Sequence, residues 1–205
     1  MKMNYYALWL SLICIIVFVL QLVIPGFTDL FVLDQSYPNE IWRFLTAIFL
    51  HGSMGHLVAN LFALALFGTI LEGVIGSRKF LLVFFASGII ANIIAFWFYP
   101  SSLGASGAIY GILGALVILR PGMVVWVYGI PMPMVIAGIV WVAGGVLGLF
   151  YPSDIGHIAH LSGIGVGAIF GLFFKDWREA RMTSAREQIR IDESSMRNWE
   201  ENYMR

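Results

Sequence analysis

Charge is what this chain has least of. Only 12% of its 205 residues are Asp, Glu, Lys or Arg, and twelve basic residues are matched by twelve acidic ones. Soluble domains usually carry about a quarter charged residues. With no net charge there is no basic field to attract nucleic acid, so no nucleic-acid partner is expected. Cysteine is almost missing as well. Cys14 stands alone in the first apolar run, which rules out an intrachain disulfide and any CxxC site and leaves it as packing or lipid-facing filler. There is no HExxH motif, so no metal or other cofactor is expected. Glu72 is the one carboxylate within an apolar stretch, close to its end, which speaks against a proton-coupled transporter.

Apolar residues fill the space left by charge: 60% of the chain is hydrophobic and the mean hydropathy is +0.84. Runs at 5–24, 56–70, 80–98, 106–119, 134–150 and 157–174 predict an all-α membrane protein with six transmembrane helices. The first run stops at Pro25-Gly26. It is too long for a signal-peptide core and no small-x-small cleavage site follows, so it reads as a span. That reading favours a prokaryotic plasma membrane. Residues 26–55 form the longest loop. Within it, residues 40–50 predict a segment lying in the interface, with Trp42 at headgroup depth, Arg43 snorkelling, and Glu40 paired to Arg43 at i, i+3. The fourth run is too short to cross about 30 Å of hydrocarbon alone. It fits where other helices surround it and its mouth opens on a watery cavity. Residues 123–133 read as an aromatic, proline-punctuated connector. Its flexible 129–133 portion makes the fifth span the expected moving helix.

After residue 174 the composition changes. Residues 175–205 hold seven basic and seven acidic residues, with pairs such as Glu187 and Arg190 at helical spacing. The chain divides into a membrane domain at 1–174 and a charged tail at 175–205, read as a solvated or frayed helix without activity. With the N-terminus cytoplasmic, Lys2, Arg78, Lys79, Arg120 and the tail's basic residues all fall inside, and only Arg43 falls outside. Both termini are then expected in the cytoplasm. The same topology puts the starts of the second, fourth and sixth spans on the outer side, so His56, Ser106 and His160 share a depth.

Polar groups at membrane depth are costly and invite a functional reading, although they also serve as interhelical glue. Ser106 sits in GASGAIYG at a helix start. Gly107 and Gly111 follow on one face, and Gly163, Gly167 and Gly171 form a matching ridge below His160. Small-xxx-small ridges let two backbones approach closely, which would bring the serine hydroxyl within reach of the imidazole, a nucleophile and its base. Tyr110, one turn below Ser106, is placed to pack on that ring or simply on its helix neighbours. His56 and Asn60, one turn apart, offer oxyanion donors or an interhelical clip. The amides at the start of the fourth helix point the same way. Asp154 lies in the turn before His160, and no carboxylate at site depth is available to orient the ring, which predicts a dyad. A metal set of His51, His56, His157 and His160 is a competing reading. Otherwise His51 and His157 are water-facing or supporting groups.

GASG at 104–107, AHLSG at 159–163, HLVAN at 56–60 and the Trp42-Arg43 pair together resemble the rhomboid intramembrane serine proteases, whose motifs are GxSG, AHxxG, HxxxN and a WR pair. The resemblance covers about residues 40–175. It implies a rhomboid-like six-helix bundle with an interfacial first loop. Ser106 would be nucleophile and His160 general base. His56, Asn60 and the Ser106 amide would form the oxyanion hole, with Gly104, Gly107, Gly163 and Gly167 supporting the site. Trp42 and Arg43 would anchor the loop, and Glu72 would be a structural hydrogen-bonding position. The substrates would be transmembrane segments of other proteins in the bilayer. An inactive relative that lacks the nucleophile or base is disfavoured, since both residues are present.

Overall fold

A computed structural model describes the backbone of residues 3–127, 129–151, 153 and 155–203, and their side chains except at 176–195 and 203. Helix α1, Tyr6–Val23, contains no proline or glycine and ends just before Pro25. Ala7, Leu10, Cys14 and Phe18 form its buried stripe, while Trp9, Leu12, Ile16 and Val19 on the other faces are exposed. A helix apolar all round with only a thin packed stripe has lipid, not water, as its outer neighbour.

Gly26 turns the chain at φ 77 into α2, Phe27–Phe31, followed by the two-residue strand β1, Leu33–Asp34. Then come α3, Arg43–Thr46, and a 3-10 turn at Ala47–Phe49. Helix α4, Met54–Ala63, is capped by Ser53, whose hydroxyl accepts from the His56 amide at 3.1 Å. It passes through a π-helical turn, Leu64–Gly68, into α5, Thr69–Ile75, giving one apolar rod. That rod runs past residue 70, the expected end of the second run, and past Glu72-Gly73. Gly73 stays helical, and it is Gly76, at φ 85, that ends the rod.

Helix α6, Ser77–Phe96, starts immediately afterwards, so Arg78 and Lys79 belong to its first turn. Strand β2, Ser101–Ser102, pairs antiparallel with β1, Leu33 opposite Ser102. Next come α7, Ser106–Leu119, the strands β3, Val124–Val127, and β4, Ile130–Pro133, then α8, Met134–Gly148. The 123–133 connector is thus an antiparallel hairpin, not an irregular link. Helix α9, His157–Tyr203, runs without a break into the charged segment. The Glu187–Arg190 pair lies outside the described side chains.

Among the described residues, four helices are long and apolar enough to cross a membrane: Tyr6–Val23, Met54–Ile75, Ser77–Phe96 and His157–Lys175. Helices α7 and α8 are apolar but shorter. The chain is an integral, multi-pass membrane protein. Helix α7 is central to it. Its glycines, Ala108, Ala115, Ile112 and Leu116 are buried, with α6 and α9 packed closely against it.

Candidate active site

Two backbones set the site. A Cβ on Gly163 or Gly167 of α9 would collide with the carbonyl oxygen of Gly107 or Gly111 of α7, and one on Gly114 would collide with the carbonyl of Ile164. Only glycine permits this approach. Ser106 opens α7 and His160 lies in the first turn of α9, so both side chains sit at the mouth of that seam. Ser106 Oγ and His160 Nε2 are 2.8 Å apart. With the hydroxyl donating, Nε2 carries the lone pair and the ring's proton is on Nδ1. The Tyr110 ring stacks on the His160 ring at 4.1 Å between centroids and 11° between planes. Among the described residues, no carboxylate hydrogen-bonds His160, and Asp154 lies outside them.

On the other side of Ser106, Gly104 adopts φ 121 and its amide donates to the Ala47 carbonyl at 2.8 Å. Its bare Cα leaves room for His56. A Cβ there would lie 2.7 Å from His56 Cε1 and 2.9 Å from Nε2. His56 therefore borders the turn that presents Ser106. One turn along, Asn60 is buried and donates one Nδ2 hydrogen to the His56 carbonyl at 2.8 Å.

His51 does not face water. It is 1% exposed, its Nδ1 contacts the Phe49 carbonyl at 3.2 Å, and its ring meets His56 edge-on at 5.1 Å. A carbonyl only accepts, so Nδ1 carries the proton. Burial, and secondarily the neighbouring His56, push the His51 pKa down to about 4. Gln21 near the end of α1 clamps this residue: its Oε1 accepts from the His51 amide at 2.9 Å, and its Nε2 donates to the His51 carbonyl at 3.2 Å. Reading the sequence alone passed over Gln21. Its signal is an amide near the end of an otherwise apolar span.

His157 contacts Ser153 at 3.0 Å. The four histidines do not form a metal set: among the described residues, no three ligand side chains converge.

The match to known proteins coincides with this constellation. The rhomboid domain family model covers residues 38–177. The chain belongs to the rhomboid family. Rhomboid protease GlpG of Haemophilus influenzae is 29% identical over 169 residues, 79% of this chain and 86% of that protein. The putative rhomboid protease YdcA of Bacillus subtilis is 35% identical over 149 residues, 70% of this chain and 72% of that protein. Rhomboid protease GluP of the same organism is 51% identical, but only over 79 residues, 38% of this chain and 16% of that protein.

In this rhomboid the first loop differs in one respect from the sequence reading. Trp42 is half exposed, but Arg43 does not snorkel, being 3% exposed. Its Nε donates to Glu40 at 2.5 Å, its Nη1 donates to the carbonyls of Asp29 and Val32 at 2.6 and 2.8 Å, and its guanidinium lies over the Tyr37 ring. A planar fork with several donors suits a fold-over of loop carbonyls. The mix of a charge pair and bulky apolar residues at 40–50, read from the sequence as an interfacial segment, does not reveal that the chain before it folds over this side chain. Glu72 is fully buried and accepts from the amides of Asn4 and Ala7, both at 3.2 Å, and from the Ser77 hydroxyl at 2.6 Å.

Proposed function

We propose that this rhomboid is an intramembrane serine endopeptidase, cleaving transmembrane segments of other membrane proteins through a Ser106–His160 dyad. The observation that carries this reading is the 2.8 Å contact between Ser106 Oγ and His160 Nε2 at the mouth of a buried helix. The relatives bearing the name protease support it. In this reading α7 and α8 complete six crossings, both termini are cytoplasmic, and residues 175–205 form a separate tail.

The chemistry follows from the side chains. A substrate segment unwinds near the outer face and presents a peptide carbonyl to Ser106. His160 takes the hydroxyl proton on Nε2 as Oγ bonds to the carbonyl carbon. The developing oxyanion is met by donors from His56, Asn60 and the Ser106 amide. Asn60 has one Nδ2 hydrogen beyond the one given to His56. His160 returns its proton to the departing amide nitrogen, leaving an acyl-enzyme. Water, deprotonated by the same ring, then attacks the ester and frees Ser106. Tyr110 holds the imidazole plane by stacking, in place of a carboxylate.

The test is covalent labelling of the reconstituted protein with a fluorophosphonate or isocoumarin probe, beside Ser106→Ala and His160→Ala. Labelling is expected in the wild type and lost in both variants, since the two residues act as one unit. Labelling that survives Ser106→Ala would remove the nucleophile from this scheme.

A further inference from the structure

At the end of α7 remote from Ser106, the chain doubles back as the β3–β4 hairpin. Its burial alternates. Val125 and Val127 belong to the main core, whereas Val124 and Trp126 are 63% and 72% exposed. Across the ladder from these two stand Pro133 and Pro131, both exposed. The outer face is therefore apolar, carries no charge, and is centred on a tryptophan.

The free edge of β4 is equally particular. The Met134 amide donates to the Met123 carbonyl at 2.7 Å. Amides alternate sides along a strand, so positions 130, 132 and 134 face β3 while 131 and 133 face outward. Both outward positions are proline, which has no N–H. This edge offers carbonyl acceptors and no orphan donor. An ordinary edge is costly in hydrocarbon and a template for aggregation in water. This one needs only donors for its carbonyls, which water and lipid headgroups supply at the membrane interface.

Its position agrees. Helix α7, fourteen residues long, rises about 21 Å against a hydrocarbon core of about 30 Å, so one of its ends stops short of the membrane surface. Beyond Leu119 comes exposed Arg120, and Arg78 and Lys79 start α6 at the same end. The far end of α6 is placed beside the start of α9, where the Ile158 amide donates to the Tyr99 hydroxyl at 3.1 Å. Helix α8 begins directly after β4 and continues the apolar exposure through Val135, Ile136 and Ile139. The hairpin face is thus continuous in the chain with a lipid-facing flank.

We infer that the β3–β4 hairpin is a membrane-interface anchor. It lies at the headgroup–acyl boundary of the leaflet opposite Ser106 and His160, with Val124 and Trp126 against acyl chains and the β4 carbonyls toward headgroup water. Its partner is the lipid surface, and it sets the depth of the short α7 and the start of α8. The inference stands independently of the protease reading.

The test uses the full chain reconstituted in vesicles of phosphatidylcholine and phosphatidylglycerol. A thiol-reactive, environment-sensitive fluorophore is attached in Trp126→Cys and, in parallel, in Val124→Cys, so that the result does not depend on one variant folding. Gly122→Cys serves as the aqueous control, because it lies in the exposed turn just after the charged Arg120 and a Cβ there meets no neighbouring protein atom. Cys14 is 1% exposed and does not compete for label. At 124 and 126, lipids brominated near the headgroup end are expected to quench strongly and iodide to quench little, with the order reversed at 122. Iodide reaching 126 as freely as 122 would place the hairpin in water and overturn the inference. Exclusion of both quenchers would overturn it too, by showing a second copy or another protein covering the face. Quenching only by lipids brominated at the tail end would remove the hairpin from the interface.

Discussion

Gly163 and Gly107 touch backbone to backbone: a methyl group on the first would occupy the carbonyl oxygen of the second. The obstacle is main chain, which cannot rotate away as a side chain can. Gly163→Ala is therefore expected to push α9 from α7 and to destabilise the protein by about 1–3 kcal/mol, the usual range for overpacking. Gly107 adjoins Ser106, and Gly163 is one turn from His160, so the same displacement lengthens the 2.8 Å contact and lowers probe labelling. Gly165→Ala is the control, because its Cβ would meet nothing within 4 Å. Thermal unfolding and labelling rates of the two variants in one detergent decide the matter. Equal behaviour would mean that the seam is not what holds the site together.

His56 and Asn60 are expected to separate kinetically from Ser106 and His160. Removing one oxyanion donor costs about 10²–10³ in kcat in a well-studied hydrolase, and other donors remain here. His56→Ala should therefore leave slow turnover of a fluorogenic transmembrane substrate where Ser106→Ala leaves none. Asn60→Ala should do the same, with some added loss of stability from its bond to the His56 carbonyl. Full wild-type kcat in His56→Ala would take this residue out of the oxyanion site.

The parts of this molecule that were legible in the sequence are those written as spacing. Glycines four apart on two runs predict a close seam, and the structure has it where Gly163 and Gly167 meet the carbonyls of Gly107 and Gly111, with Ser106 and His160 2.8 Å apart at its mouth. Conformation that depends on the wrap of distant chain was not legible. Gly73 and Gly76 look alike as letters, but only Gly76 takes positive φ and ends its helix. Arg43 reads as an interfacial charge, because nothing local says that the carbonyls of Asp29 and Val32 fold over it. The hairpin at 124–133 carries a local signal of its own. Val-Val-Trp-Val is strong strand sequence, and prolines two apart fit one edge of a strand better than a loop.

Arg43 should resist conservative replacement. Its fork holds Glu40 and two carbonyls at once, whereas a lysine ammonium is a point donor on a flexible stem. Arg43→Lys is expected to leave the buried Val32 carbonyl unpaired, at about 1–3 kcal/mol, and to weaken the bond to the part-buried Asp29 carbonyl. Thermal unfolding and limited proteolysis within residues 26–55 would read this as a lower midpoint and faster cutting of the loop. An unchanged midpoint with unchanged cutting would show that the buried network contributes nothing net.

His51 makes stability depend on pH in one direction. Its folded pKa of about 4 lies below the ordinary 6.5, through burial first and the nearby His56 second. Between those values the unfolded chain binds a proton that the folded chain refuses. Stability therefore rises with pH across the window. The contribution is fully present above about pH 6.5 and is lost as pH falls toward 4, at no more than about 1.4 kcal/mol per pH unit. In His51→Asn the amide can still donate to the Phe49 carbonyl but does not titrate. Unfolding midpoints at pH 7.5, 5.5 and 4.5 are expected to fall less steeply in this variant than in the wild type. Parallel slopes would mean that His51 is protonated as readily in the folded protein as in the unfolded chain, which its burial and its single carbonyl partner argue against.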